Sequence, residues 1–168
     1  PRLFDQHDLP AYLGDLLQET GIDPSQLQLE ITESCLILES NNRAITQLFQ
    51  LKSLGVQLYL DDFGTGYASL SYLHRLPFDG LKIDRSFIAN IDNSSRDESF
   101  VKVIFDLAKS LDLRPIAEGI ETLEQLESVR NLANCYGQGF LFARPMSKTA
   151  ATSFMAEYQP GMLNKKAS

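Results

Sequence analysis

The chain has 168 residues and a formal net charge of −7, enough for one domain with a sizeable core. Its acidity disfavours unassisted binding to a nucleic-acid polymer, but not to a small phosphorylated ligand whose phosphates meet the acids through cations. No apolar run reaches bilayer length and no signal-type segment opens the sequence, which reads as a soluble cytoplasmic piece whose parent could be membrane-anchored; Cys35 and Cys135 are too few and too far apart for a disulfide framework or a zinc site.

In chain order, Leu9 to Thr20 reads as a helix, with Pro10 in its first turn and Gly21 as its stop. Asp23-Pro24-Ser25 is a turn. Leu27 to Ile31 is a first strand, leading to Thr32 and Glu33. Asn41 or Asn42 caps a second helix with the apolar stripe Ile45, Leu48, Leu51 and Leu54. Val56 to Leu60 is a second strand, running into Asp61 and Asp62. Tyr67 to Leu76 is a short helix, and Gly80 to Ile83 a third strand that carries Lys82 and leads to Asp84. Asp92 to Glu98 reads as a polar loop before an apolar helix over Phe100 to Leu111. Arg114 to Ala117 is a fourth strand, followed by Glu118 and Glu121. Thr122 and Gln125 form a capping box for a helix over Leu123 to Leu132. Tyr136 to Phe142 is a fifth strand broken by glycine and holding Gln138, and Ser147 to Tyr158 is the last helix.

Strand and helix alternate, which predicts an α/β fold with a parallel sheet and crossover helices. Glu30 and Glu33, Asp61 and Asp62, Lys82 and Asp84, Glu118 and Glu121, and Gln138 all fall at or just past the C-terminal ends of apolar strands. In parallel α/β folds those ends share one face, where ligands bind. Acids gathered there repel unless cations intervene, and hard oxygen donors favour Mg²⁺ or Mn²⁺ over zinc. Adjacent Asp61 and Asp62 could each reach a different ion, a two-metal arrangement suited to phosphoryl chemistry. Taken singly, each acid after a strand is more often a cap or turn residue; Asp84 before Arg85-Ser86 and Glu121 before Thr122 could be that.

Five segments carry a resemblance. Leu29-Glu-Ile-Thr-Glu33, Asp61-Asp-Phe-Gly-Thr-Gly-Tyr67, Leu81-Lys-Ile-Asp-Arg-Ser-Phe87, Ala117-Glu-Gly-Ile-Glu121, and Gln138-Gly139 with Arg144-Pro145 resemble, in order, the EAL domain family of bacterial phosphodiesterases. The resemblance implies a modified TIM-type (β/α) barrel, here incomplete with about five parallel strands, and hydrolysis of cyclic di-GMP to linear pGpG with two ions, Mg²⁺ or Mn²⁺. It implies Glu30 and Asp61 as ligands of the first ion and Asp62 as ligand of the second. Lys82 is then the residue that holds the catalytic water, and Glu118 the general base or a ligand of the second ion. It gives Glu33 the task of fixing the loop after the Asp pair. That loop, Phe63, Gly64, Thr65 and Gly66 onward to Leu70, resembles a control loop between the metal site and a dimer interface. Asp84, Glu121 and Gln138 match pocket positions.

The motif for which the family is named and the strand after it, each the source of one ligand to the first ion, are not in the chain. The expected organisation is therefore a partial domain over 1–160 lacking its first strands, inactive by itself, and a C-terminal tail over 161–168. The partners implied are cyclic di-GMP, a second copy in a homodimer, and an upstream sensory or GGDEF-type domain in the parent. The competing expectation is a receptor or interaction module of the same family that does not hydrolyse; another phosphate-handling barrel would leave the five ordered motifs unexplained.

Overall fold

The computed structural model describes residues 8–33, 35, 42–66, 70–92 and 94–158. Five strands form one parallel sheet in consecutive order, β1 (Gln28–Thr32), β2 (Gln57–Phe63), β3 (Gly80–Ile83), β4 (Arg114–Ala117) and β5 (Tyr136–Gly137). The helices are α1 (Leu9–Thr20), α2 (Asn42–Ser53), α3 (Leu70–Arg75), α4 (Arg85–Ala89), α5 (Ser95–Ser110), α6 (Leu123–Leu132) and α7 (Lys148–Glu157). Consecutive parallel order with a helix after each strand is the repeating unit of a (β/α) barrel, and the sheet is an incomplete barrel of that kind.

The two faces of the sheet differ because side chains alternate along each strand. Leu29, Ile31, Leu58, Leu60, Leu81, Ile83 and Ala117 share the face covered by helices, and nearly all are buried. Leu48 and Leu51 of α2 and Val101, Ile104, Phe105 and Ala108 of α5 complete that core. The opposite face carries Gln28, Glu30 and Thr32, then Gln57, Tyr59 and Asp61, then Gly80 and Lys82, in register across the strands. Burial of the first face stabilises the fold at roughly 25 cal/mol per Å² of apolar surface; the polar second face is spent elsewhere.

Several boundaries differ from the sequence reading. The polar segment before α5 is not all loop: Ser95 to Glu98 form the first helical turn, because Ser94 caps it by accepting from Asp97 N and because Asp97 and Glu98 suit the positive end of the helix. Asp84 caps the unforeseen α4 by accepting from Ser86 N at 3.0 Å. The fifth strand shrinks to two residues, since Phe142 N and Ala143 N turn back to Gly139 O. The second strand continues through the Asp pair to Phe63. The cap at Asn41, the helix start at Tyr67 and the 161–168 tail lie outside the described residues. Both cysteines are free thiols, and burial pushes the Cys135 thiol up to about 11. No helix among the described residues is long and apolar enough to cross a membrane.

Candidate active site

The site begins with a defect in the β2–β3 ladder. Leu60 pairs with Leu81, but Phe63 pairs with Ile83, so β2 carries one extra residue. Asp62 absorbs it with φ of 56°, in the left-handed region that Asp tolerates better than most residues. In a regular strand, neighbours point to opposite faces. The bulge removes that constraint: one oxygen each from Asp61, Asp62 and Glu118 lies within 4.8 Å of the others.

Lys82 stands at the centre. Its side chain is 4% exposed, and its Nζ lies 2.6 Å from Glu118 Oε1, 2.8 Å from Glu30 Oε1 and 3.0 Å from Asp61 Oδ1. Burial works against the ammonium charge, but the carboxylates of Glu118, Glu30 and Asp61 override it, so Lys82 stays protonated above its ordinary range. Asp61 Oδ1 is buried, and the cation it faces is the Lys82 ammonium at 3.0 Å. A buried carboxylate oxygen is costly unless a cation meets it, and here one lysine is shared among three carboxylates.

The neighbouring acids show the same tension. Burial pushes the Glu118 carboxyl up, Lys82 pulls it back, and Asp61 and Glu30 push it up again. Burial, then Asp61, then Asp84 raise Asp62, against Lys82 and Arg85. A divalent cation fits this donor set of hard, converging carboxylate oxygens. Asp61, Asp62 and Glu118 could hold one, with Glu30 reaching the same centre through Lys82.

Glu33 has a different place from the other acids. It is buried at 3% exposure, and its Oε2 accepts Gly64 N at 3.0 Å and Gly66 N at 3.2 Å. It therefore holds the turn after the Asp pair and does not join the cluster around Lys82. Thr65 closes that turn from within, its N and Oγ1 both bonding to Asp62 O. Gly64 has φ of +99°, and a methyl there would sit 2.6 Å from the Phe87 ring. Phe87, which the sequence reading left without a role, thus walls the loop, and it stacks on Phe100 at 5.2 Å.

The structure does not draw the remaining candidates into the acid cluster. Asp84 is committed to its cap. Glu121 is exposed, its N–H donating to Gln125 Oε1 within the capping box. Gln138 is exposed just past β5 and fastens the backbone by donating from N to Ala117 O and accepting from Ile120 N. The apolar hollow bounded by Leu126, Val129, Phe142 and Phe154 is lined by none of the clustered acids.

Comparison with known proteins gives the arrangement its context. The chain is 43% identical over 143 residues to the cyclic di-GMP phosphodiesterase NbdA of Pseudomonas aeruginosa, covering 85% of this chain and 18% of that protein. It superposes on the PaMucR phosphodiesterase solved as a c-di-GMP complex, with TM-score 0.82, 40% identity, and coverage of 88% of this chain and 60% of that one. It superposes also on BlrP1 of Klebsiella pneumoniae in a manganese and cy-diGMP complex, with TM-score 0.78, 33% identity, and coverage of 84% and 36%. The chain spans about a fifth of the length of the curated relatives it matches. The EAL domain model matches residues 1–145, and the chain belongs to the EAL domain family.

Proposed function

We propose that this chain carries the metal and catalytic face of a phosphodiesterase that hydrolyses cyclic di-GMP to linear pGpG. The observation that carries the reading is the buried Lys82 ammonium held against Glu118, Glu30 and Asp61, beside the convergent oxygens of Asp61, Asp62 and Glu118. The named activity of NbdA and the c-di-GMP bound to PaMucR supply the substrate class.

Glu30 and Asp61 would hold a first cation and Asp62 a second, with Glu118 shared or free to act as base. Bound Mg²⁺ or Mn²⁺ supplies Lewis acidity toward a phosphoryl oxygen and acidifies water. The rest falls to the chain. Lys82 is fixed in its charged form and donates to the attacking water, setting its direction toward phosphorus. Glu118, whose affinity for protons is raised by burial, takes the proton from that water. An oxygen–phosphorus bond forms and the bond from phosphorus to the ribose 3′ oxygen breaks. Glu118 passes that proton on to the departing 3′ oxygen, leaving a 3′ hydroxyl at one end and a 5′ phosphate at the other. Glu33, by clasping Gly64 and Gly66, keeps Asp62 in its bulged conformation. Asp84, Glu121 and Gln138 would line the rim, where a dinucleotide's bases would lie. A homodimer through the loop after Asp62, a sensory or GGDEF-type partner domain in the parent, and a cytoplasmic setting complete the reading.

The test is turnover of cyclic di-GMP by the full-length protein in Mg²⁺ and in Mn²⁺, with pGpG read by chromatography. Production of pGpG that stops on chelation is expected. Binding without product in either ion would make the protein a receptor and sink the hydrolytic reading.

A further inference from the structure

A lysine reaches its partners on a long, flexible stem, and such a stem keeps one position only where its surroundings wall it in. At the tip, Glu118, Glu30 and Asp61 fix the Lys82 ammonium. Below the stem, toward the N-terminal end of the strand, the next residue on the same face of β3 is Gly80, which has no side chain to offer. The space is filled from the neighbouring strand. Tyr59 pairs with Gly80 across the β2–β3 ladder. A methyl on Gly80 would sit 2.1 Å from Tyr59 Cε1 and 2.5 Å from its Cδ1. The ring therefore lies across β3, in the place where residue 80 would carry a side chain of its own, one layer below Lys82.

The ring is held in that layer from both sides. Glu30 stands beside Tyr59 in the same row on β1. On the β4 side, Arg114 Cζ lies 5.8 Å from the ring centroid. The same methyl on Gly80 would also come within 2.7 Å of Arg114 O, so the backbone approach at this row requires a glycine as much as the ring does. Exposure follows the same pattern. Glu30 and Arg114 are open to solvent on this face, whereas Tyr59 is 2% exposed and the Lys82 side chain 4%. An aromatic ring packed beneath the stem produces that result.

We propose that Tyr59 is a positioning residue for Lys82, an inference that rests on the role given to Lys82 above. Its ring is a floor that keeps the ammonium level with the acids and bars water from beneath it. Gly80 belongs to the same device, because a side chain there would displace the ring. The phenol hydroxyl does not, since the shape of the ring is what fills the layer.

The experiment reads Lys82 in two ways on the full-length protein. The first is acylation by acetic anhydride in chelator, scored by peptide mass spectrometry against the exposed Lys102. Tyr59→Ala should raise labelling of Lys82 relative to Lys102 by about tenfold, and Tyr59→Phe should stay within about twofold of wild type. The second is turnover of cyclic di-GMP in Mn²⁺. Tyr59→Ala should lower kcat about tenfold with KM within about twofold, and Tyr59→Phe should restore kcat. Unchanged labelling of Lys82 in Tyr59→Ala would overturn the proposal. So would an equal rise at Lys52 and Lys109, which would mean general loosening, or a Tyr59→Phe protein that behaves like Tyr59→Ala, which would assign the role to the hydroxyl. A rise in KM with kcat intact would move Tyr59 to substrate binding and overturn it as well. If Tyr59→Ala does not fold, Tyr59→Leu, which keeps apolar bulk without the flat ring, is held to the same criteria with a smaller expected effect. Should the wild-type protein bind cyclic di-GMP without cleaving it, the hydrolytic reading falls, and the labelling of Lys82 decides the floor by itself.

Discussion

The two ends of the β-strands hold charge differently. At the N-terminal end, Asp79 meets Lys52 with both oxygens at 2.6 Å and accepts Leu58 N at 2.8 Å. Beside it, Arg114 lies over the Tyr59 ring at 5.8 Å and donates to Gln57 at 3.2 Å. Each of these charges has a partner. At the C-terminal end, one lysine serves three carboxylates and Asp62 adds another acid. The first arrangement serves stability. The second should cost stability in the absence of cations, as expected of the working end proposed above.

The contrast breaks most visibly at its two central residues. Lys82→Met should lower turnover of the full-length protein by about 10³-fold, the scale of losing a fixed donor at a reacting centre. In chelator it should also cost about 3 kcal/mol, because the facing carboxylates lose their cation. Added Mn²⁺ should return part of that stability in a urea melt but not the turnover; turnover near wild type would remove Lys82 from the mechanism. At the other end, Asp79→Ala should cost about 2 kcal/mol through the lost ion pair and the orphaned Leu58 N–H. Turnover measured where the variant is folded should stay at the wild-type level. A fall in kcat with intact folding would erase the distinction between the two ends.

How far the sequence discloses this contrast depends on the kind of interaction. The acids at the strand ends, Lys82 on β3 and the capping box at Thr122 are legible because each lies at a fixed offset from an apolar run or a cap. The parallel alternation is legible for the same reason. The bulge at Asp62 is not, since it is a mismatch between two strands and leaves no mark in either alone. Nor is the wall that Phe87 makes against Gly64, a contact across 23 positions. Asp84 shows the opposite case, in which a local Asp-Arg-Ser capping signal competes with a pocket position and takes the side chain. Glu33 reads as one more acid in the strand-end pattern, and its task as a clasp comes from the resemblance, because the N–H groups it serves lie 31 and 33 residues away.

The loop supplies a finer break. Gly64→Ala forces a side chain into a left-handed backbone against the Phe87 ring, a strain of roughly 1–3 kcal/mol. Because Thr65 and Glu33 tie that turn to Asp62, the Mn²⁺ concentration for half-maximal turnover should rise more than KM for substrate. Adding Phe87→Leu to the same chain should recover part of both losses. Loss of stability with no change in the metal requirement would show that the loop is a structural turn only.

The smallest effect concerns the cost of the unbalanced end itself. Burial, then Asp61, then Asp84 hold the Asp62 carboxyl above its ordinary value of 3.8. The folded state therefore binds this proton more tightly than the unfolded chain does. Its contribution to stability is present below pH 3.8 and is lost as pH rises through the raised folded value. Asp62→Asn keeps the neutral form at every pH and retains a residue that accepts a left-handed backbone. In chelator, the variant should match wild type in acid and exceed it at neutral pH by less than about 1 kcal/mol, since partial solvent access screens the repulsion. Mn²⁺ should reverse the order, because wild-type Asp62 then has a cation to meet and the amide does not. If the variant is no more stable than wild type in chelator at neutral pH, the charge excess at this end costs the fold nothing, and the two ends differ only in geometry.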